Sequence, residues 1–81
     1  MKVQVQLFAA AKDAAGQSVL SVTLPAQATV SELRSALLQT APGLQSLHDS
    51  LLIAVNNQYA AGDLVLNESD EVACFPPVSG G

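Results

Sequence analysis

Thr29-Val30-Ser31-Glu32-Leu33-Arg34-Ser35-Ala36-Leu37-Leu38-Gln39-Thr40 is the clearest amphipathic helix signal in the chain. Its first four residues match a capping box. The Thr29 hydroxyl can accept from the Glu32 amide while the Glu32 carboxylate reaches back to the Thr29 N–H. Ala28 and Leu33 stand where a hydrophobic staple would fix the chain's entry angle. Val30, Leu33, Leu37 and Leu38 recur at helical spacing, with Arg34, Ser35 and Gln39 on the other face. Pro42-Gly43 supplies the stop, so the pattern predicts a helix over residues 30–40.

Towards the N-terminus the period changes from helical to two. Lys2-Val3-Gln4-Val5-Gln6-Leu7-Phe8 alternates, with Val3, Val5 and Leu7 on one face and Phe8 among the polar residues of the other. That is the pattern of a half-buried strand. Ala9 to Ala15 reads as a short helical turn closed by Gly16. Ser18 to Leu24 is β-rich, stops at Pro25, and predicts a second strand hairpinned to the first.

Towards the C-terminus, Leu44 to Ser50 is compatible with a loop or a short second helix. Leu51-Leu52-Ile53-Ala54-Val55 is an apolar run ending at Asn56-Asn57, as expected of a buried strand entering a turn. Leu64-Val65-Leu66 makes a brief strand at best. Asp70 to Phe75 reads as the final strand, stopped by Pro76-Pro77. The order is β-β-α-β-(β)-β, an α+β architecture with one helix covering one face of a mixed sheet. The first and last strands are expected side by side at its centre. The domain occupies residues 1–75, and residues 76–81 form an extended tail.

Eighty-one residues allow one small domain, and 49% hydrophobic residues are enough for a core without staples. A single cysteine excludes an internal disulfide and a cysteine-cluster metal site. The net charge of −4 disfavours nucleic-acid backbones and anionic membranes. The charge is also segregated: residues 35–81 hold five acids and no Lys or Arg, so a partner steered by charge is expected to be basic. No apolar run approaches the roughly 20 residues of a membrane-spanning helix. The start lacks a signal-peptide layout, and a cytoplasmic location is expected.

Within the domain no catalytic set can be assembled. His48 lies in a polar stretch, and Cys74 alternates with Val72 as a small core residue would. The acidic Glu68-Ser69-Asp70-Glu71 lacks the spacing of a calcium loop and reads as a solvated turn; no metal site is expected. The end of the sequence differs. Two glycines at fixed terminal positions arise by chance in about 0.5% of chains. Gly80-Gly81 follows a stiff Pro-Pro pair, has no side chains to obstruct a narrow channel, and offers an α-carboxylate for acyl activation.

The ending Asp70-Glu71-Val72-Ala73-Cys74-Phe75-Pro76-Pro77-Val78-Ser79-Gly80-Gly81 resembles that of the small subunit of molybdopterin synthase, within the ubiquitin-like β-grasp sulfur carriers. Val3 to Ala9 and Ala54-Val55-Asn56 extend the resemblance to the start and middle. Cys74 departs from it, standing where an aromatic or aliphatic residue is common. The resemblance implies a β-grasp fold and a sulfur carrier in molybdenum cofactor biosynthesis. Gly81 would be adenylated by an ATP-dependent, ubiquitin-activating-like adenylyltransferase and converted to a thiocarboxylate, with Gly80 giving steric access. The large synthase subunit would supply the catalytic groups, receive the tail through Val78 and Ser79, and assemble with the carrier as a heterotetramer. No intrinsic cofactor is implied; ATP belongs to the activating enzyme.

Phe8 and Phe75 both alternate away from the Val/Leu positions of their strands. On adjacent strands they would form an exposed apolar patch beside Pro76 and Pro77, with Tyr59 able to join it. The competing expectation buries both rings beneath residues 9–15. Three functional rivals remain: a carrier for thiamine or another sulfur product, a modifier that forms isopeptide bonds, and a plain interaction domain.

Overall fold

The computed structural model describes residues 1–47 and 50–76. In chain order it contains β1 (Lys2–Leu7), α1 (Ala9–Ala15), β2 (Val19–Thr23), α2 (Val30–Thr40), a 3-10 segment (Pro42–Leu47), β3 (Leu52–Val55), β4 (Gln58–Tyr59) and β5 (Val72–Phe75). One sheet runs β2-β1-β5-β3-β4. β5 lies parallel to β1 and antiparallel to β3, while β1 and β3 pair antiparallel with β2 and β4. The first and last strands are therefore neighbours, as the alternation implied, and the architecture is the β-grasp. Among the described residues no helix is long and apolar enough to cross a membrane.

Alternation sets the two faces. Val3, Val5 and Leu7 are at most 2% exposed, and they meet Leu33 and Leu37 of α2, both fully buried, in one core. Burial of each such side chain contributes about 1.5–3 kcal/mol before entropy is counted. The capping box is present: the Thr29 N–H donates to Glu32 Oε1 at 3.1 Å, and the Glu32 N–H to Thr29 Oγ1 at 3.4 Å. Ala28 and Leu33, the staple positions, are both buried. Gly16 closes α1 with φ 76, its N–H bonded to the Lys12 carbonyl at 2.9 Å.

Two elements differ from the sequence pattern. Leu64–Leu66 is not a ladder strand; it forms a single bridge, Val65 to Thr29. Its backbone runs beside the start of α2, through Val30 N–H to Leu64 O at 3.0 Å and Leu66 N–H to Ala28 O at 2.8 Å. The further strand is instead Gln58–Tyr59, too short to show a period. Asn56 and Asn57, at φ 52 and 69, make the two-residue hairpin that returns it against β3. The 44–50 region is resolved in favour of the 3-10 segment up to Leu47.

Candidate functional site

The sheet face opposite α2 carries what the core rejects. On it lie Gln4 and Gln6 of β1, Leu52 and Ala54 of β3, Tyr59 of β4, and Ala73 and Phe75 of β5. Ala54 stands opposite Tyr59 on one side and Ala73 on the other, and Leu52 stands opposite Phe75. Tyr59 reaches diagonally across β3 to Phe75, with ring centroids 5.7 Å apart and planes tilted by 46°. A tilted pair at this separation is a favourable aromatic arrangement. Phe75 is half-buried, and Tyr59 is 71% exposed.

Phe8 is 47% exposed, so the alternative of burial beneath residues 9–15 does not hold for it. Its N–H donates to the Cys74 carbonyl at 3.1 Å, which places it beside the Cys74–Phe75 end of β5. Immediately after it, Ala9 takes φ 52 and turns the chain out of the sheet into α1. The rings that meet are Tyr59 and Phe75; Phe8 borders a shallow groove with Gln6, Lys12 and Val19. Pro76 is half-buried where β5 ends. Pro77, Val78, Ser79, Gly80 and Gly81 lie outside the described residues, as does His48.

A polar clip at the start of β5 was not legible in the sequence. Asn56 Nδ2 donates to Asp70 Oδ1 at 3.0 Å, and the Asn67 N–H donates to Asp70 Oδ2 at 2.8 Å. Asn56 Oδ1 accepts the Glu71 N–H at 3.0 Å, and the Asn56 N–H reaches the Glu71 carbonyl at 2.7 Å. One asparagine thus ties the β3–β4 turn to the residues leading into β5 and the tail. An Asn at a turn with an Asp downstream was the available signal, but only the fold pairs them. Beside the clip, a hollow floored by Ala54 and Ala73 is flanked by Gln4, Gln6, Asp70 and Glu71, which gives the face an acidic rim.

Cys74 is fully buried, and burial pushes its thiol up to about 11, against a smaller lowering by the Arg34 charge. A thiol held protonated is a poor nucleophile, consistent with a core residue. The arrangement can present a surface to another molecule: an aromatic and acidic face whose central strand, β5, ends at Pro76, the last of the described residues.

Comparison with known proteins places the arrangement. The ThiS family matches residues 5–81. A molybdopterin synthase sulfur carrier subunit from Dictyostelium discoideum is 35% identical over 81 residues, covering 96% of this chain and 94% of that protein. SAMP1 from Haloferax volcanii superposes with a TM-score of 0.88 at 30% identity, covering all of both chains. A chain of the protein-protein complex of subunits 1 and 2 of molybdopterin-converting factor from Helicobacter pylori superposes with a TM-score of 0.71 at 26% identity, the match covering all of both chains. The family model spans residues 5–81, nearly the whole chain, and the chain belongs to the ThiS family.

Proposed function

We propose that this protein is the sulfur carrier subunit of a molybdopterin synthase, with Gly81 as the acceptor of sulfur. The observation that carries the reading is the passage from β5 to Gly80-Gly81. The strand that presents Phe75 to a partner is the strand that delivers the tail, so docking and delivery share one rigid element. The relatives named molybdopterin synthase sulfur carrier subunit, and the two-subunit complex from Helicobacter pylori, support a large subunit as the partner, and the exposed Tyr59–Phe75 face is where we seat it.

The chemistry follows from the carboxylate. A free carboxylate is a poor acyl donor, so an ATP-dependent adenylyltransferase first joins Gly81 to AMP with release of pyrophosphate. Sulfide (HS⁻) then attacks the carbonyl carbon, the bond to the phosphate oxygen breaks, AMP leaves with the electron pair, and loss of the S–H proton leaves the thiocarboxylate. The resulting thiocarboxylate enters the large subunit on residues 76–81, where Gly80 lets the backbone approach the reacting centre. ATP is the activating enzyme's substrate, and the supply of ATP in the cytoplasm is consistent with a cycle that runs there.

Deleting Gly81 tests this directly. Sulfur transfer is expected to vanish while affinity for the large subunit persists; retained transfer would refute the role of Gly81. A second reading, a protein modifier, is favoured by the likeness to the small archaeal modifier protein 1 of Haloferax volcanii, 30% identical with a TM-score of 0.85. Its product would be an amide to a lysine, so the mass of the adduct separates the two.

A further inference from the structure

The alternation that buries Val72 and Cys74 puts Glu71, Ala73 and Phe75 on the sheet face opposite α2. Phe75 stands at the end where β5 leaves the sheet, and Glu71 stands four residues back, about 13 Å along the strand. Between them Ala54 and Ala73 floor a hollow, with Gln4 and Gln6 beside it on β1 and Asp70 and Glu71 at the start of β5. Two acids and no base line it. The acids are not equivalent. Both Asp70 oxygens are engaged, Oδ1 by Asn56 Nδ2 at 3.0 Å and Oδ2 by the Asn67 N–H at 2.8 Å. Glu71 is exposed, and among the described residues its carboxylate has no hydrogen-bond or ion-pair partner. Gln4 donates through Nε2 to Ser21 Oγ at 3.5 Å, which leaves its Oε1 to accept, and the Gln6 amide is unengaged. Lys2 lies beyond Gln4 on the same face, outside the hollow, and pairs with neither acid. Lys12 borders the groove beside Phe8 and does not line this hollow.

We propose that the hollow receives an arginine side chain of the large subunit, its guanidinium flat on Ala54 and Ala73 and bonded to the Glu71 carboxylate and the Gln4 and Gln6 carbonyl oxygens. Resting on the reading of this chain as a synthase subunit, the contact adds the chemistry by which the partner recognises the end of the face away from the tail. Charge selects the occupant. An anion is repelled by Glu71, and a neutral group that excludes water there leaves its charge unpaired, which is costly. A divalent cation takes about six oxygens, more than one free carboxylate and two amides supply. Among the described residues no group of three or more His, Cys, Asp or Glu could hold a metal. Between the two basic side chains, the planar guanidinium offers five donors to acceptors on two strands and can lie on an apolar floor, whereas an ammonium is a compact, strongly hydrated point charge. The hollow is continuous with the aromatic end of the face, so the partner's arginine stands about 13 Å from the pocket that takes Phe75.

Calorimetric titration of the full chain into the purified large subunit, at about 50 mM and about 500 mM salt, tests the contact. Glu71→Gln is expected to weaken binding roughly tenfold or more at low salt and to flatten its salt dependence, with the urea midpoint unchanged. Glu68→Gln removes the same charge outside the hollow and is expected to change affinity by less than about twofold. Gln6→Lys sets an ammonium in the hollow from β1 without altering Glu71; it should lose affinity to a similar extent and serves if the Glu71 variant misfolds. Wild-type affinity in a folded Glu71→Gln chain overturns the inference alone, as does an equal loss in Glu68→Gln. A loss seen with the activating enzyme and not with the large subunit gives the hollow to that enzyme and also overturns it. Failure of the unaltered chain to bind the large subunit overturns both the contact and the reading on which it rests.

Discussion

The Tyr59 and Phe75 rings meet at 5.7 Å across a strand that belongs to neither of them. They come together because β3 pairs with β4 on one side and β5 on the other, and because Ala54, between Tyr59 and Ala73 in the ladder, is small enough to be crossed. The contact couples the edge of the sheet to the strand that carries the tail. Phe75→Ala is expected to weaken large-subunit binding by about 2 kcal/mol, roughly 30-fold, with the circular dichroism spectrum unchanged. Tyr59→Ala should weaken it less, and a double-mutant cycle should return a coupling of about 0.5–1 kcal/mol. Calorimetric affinity unchanged by Phe75→Ala would remove this face from the docking surface.

The fold was legible wherever a period ran long enough to be seen. The alternation of Lys2 to Phe8 fixed both faces of β1, and Thr29 with Glu32 fixed the start of α2. What stayed hidden was made by tertiary pairing. Gln58–Tyr59 is a strand because two asparagines at positive φ fold it back on β3, and two residues show no period. Leu64 to Leu66 looked more like a strand, yet Leu64 and Val65 are 43% and 48% exposed and only Leu66 is buried. Phe8 and Phe75 could be assigned to one face from strand parity, and Tyr59 only by its nearness to the turn. Which rings touch depended on a strand that the pattern did not reveal.

Asn56 makes the β3–β4 turn and the clip to residues 70 and 71 at once, so its two roles can be separated by substitution. Asn56→Gly keeps the positive φ and loses the amide, at an expected cost of about 1–2 kcal/mol in urea unfolding. Asn56→Ala loses both and should cost about 1 kcal/mol more. Equal stability of the two variants would mean that φ at this position is not under strain.

Gly43 touches α1 through its missing side chain. A Cβ there would collide with the Ala14 carbonyl oxygen, which is backbone and cannot swing aside. Gly43→Ala is therefore expected to push the 3-10 segment off α1 and destabilise the protein by about 2–3 kcal/mol in chemical denaturation. A change within 0.5 kcal/mol, the usual range for surface substitutions, would contradict the close approach.

Burial raises the Cys74 thiol from its ordinary 9.0 to about 11. Between those values the unfolded chain releases the thiol proton while the folded chain retains it, so stability falls as pH rises from 9.0 towards about 11. Cys74→Ala should lack this component of the alkaline loss. At pH 8 the native thiol should resist alkylation, then react promptly in denaturant; rapid alkylation of the folded protein would contradict its burial.

The central claim is that Gly81 carries sulfur, and mass spectrometry of the C-terminal tryptic fragment tests it most directly. The chain would be expressed with its activating enzyme, ATP and a sulfur source. Arg34 is the last basic residue, so residues 35–81 form one fragment that excludes Met1, whose oxidation nearly mimics an oxygen-to-sulfur exchange. Fragment ions separate Gly81 from Cys74, which can also gain oxygen. The account predicts one oxygen replaced by sulfur at Gly81. An unmodified carboxylate in the presence of a demonstrably active activating enzyme would contradict it.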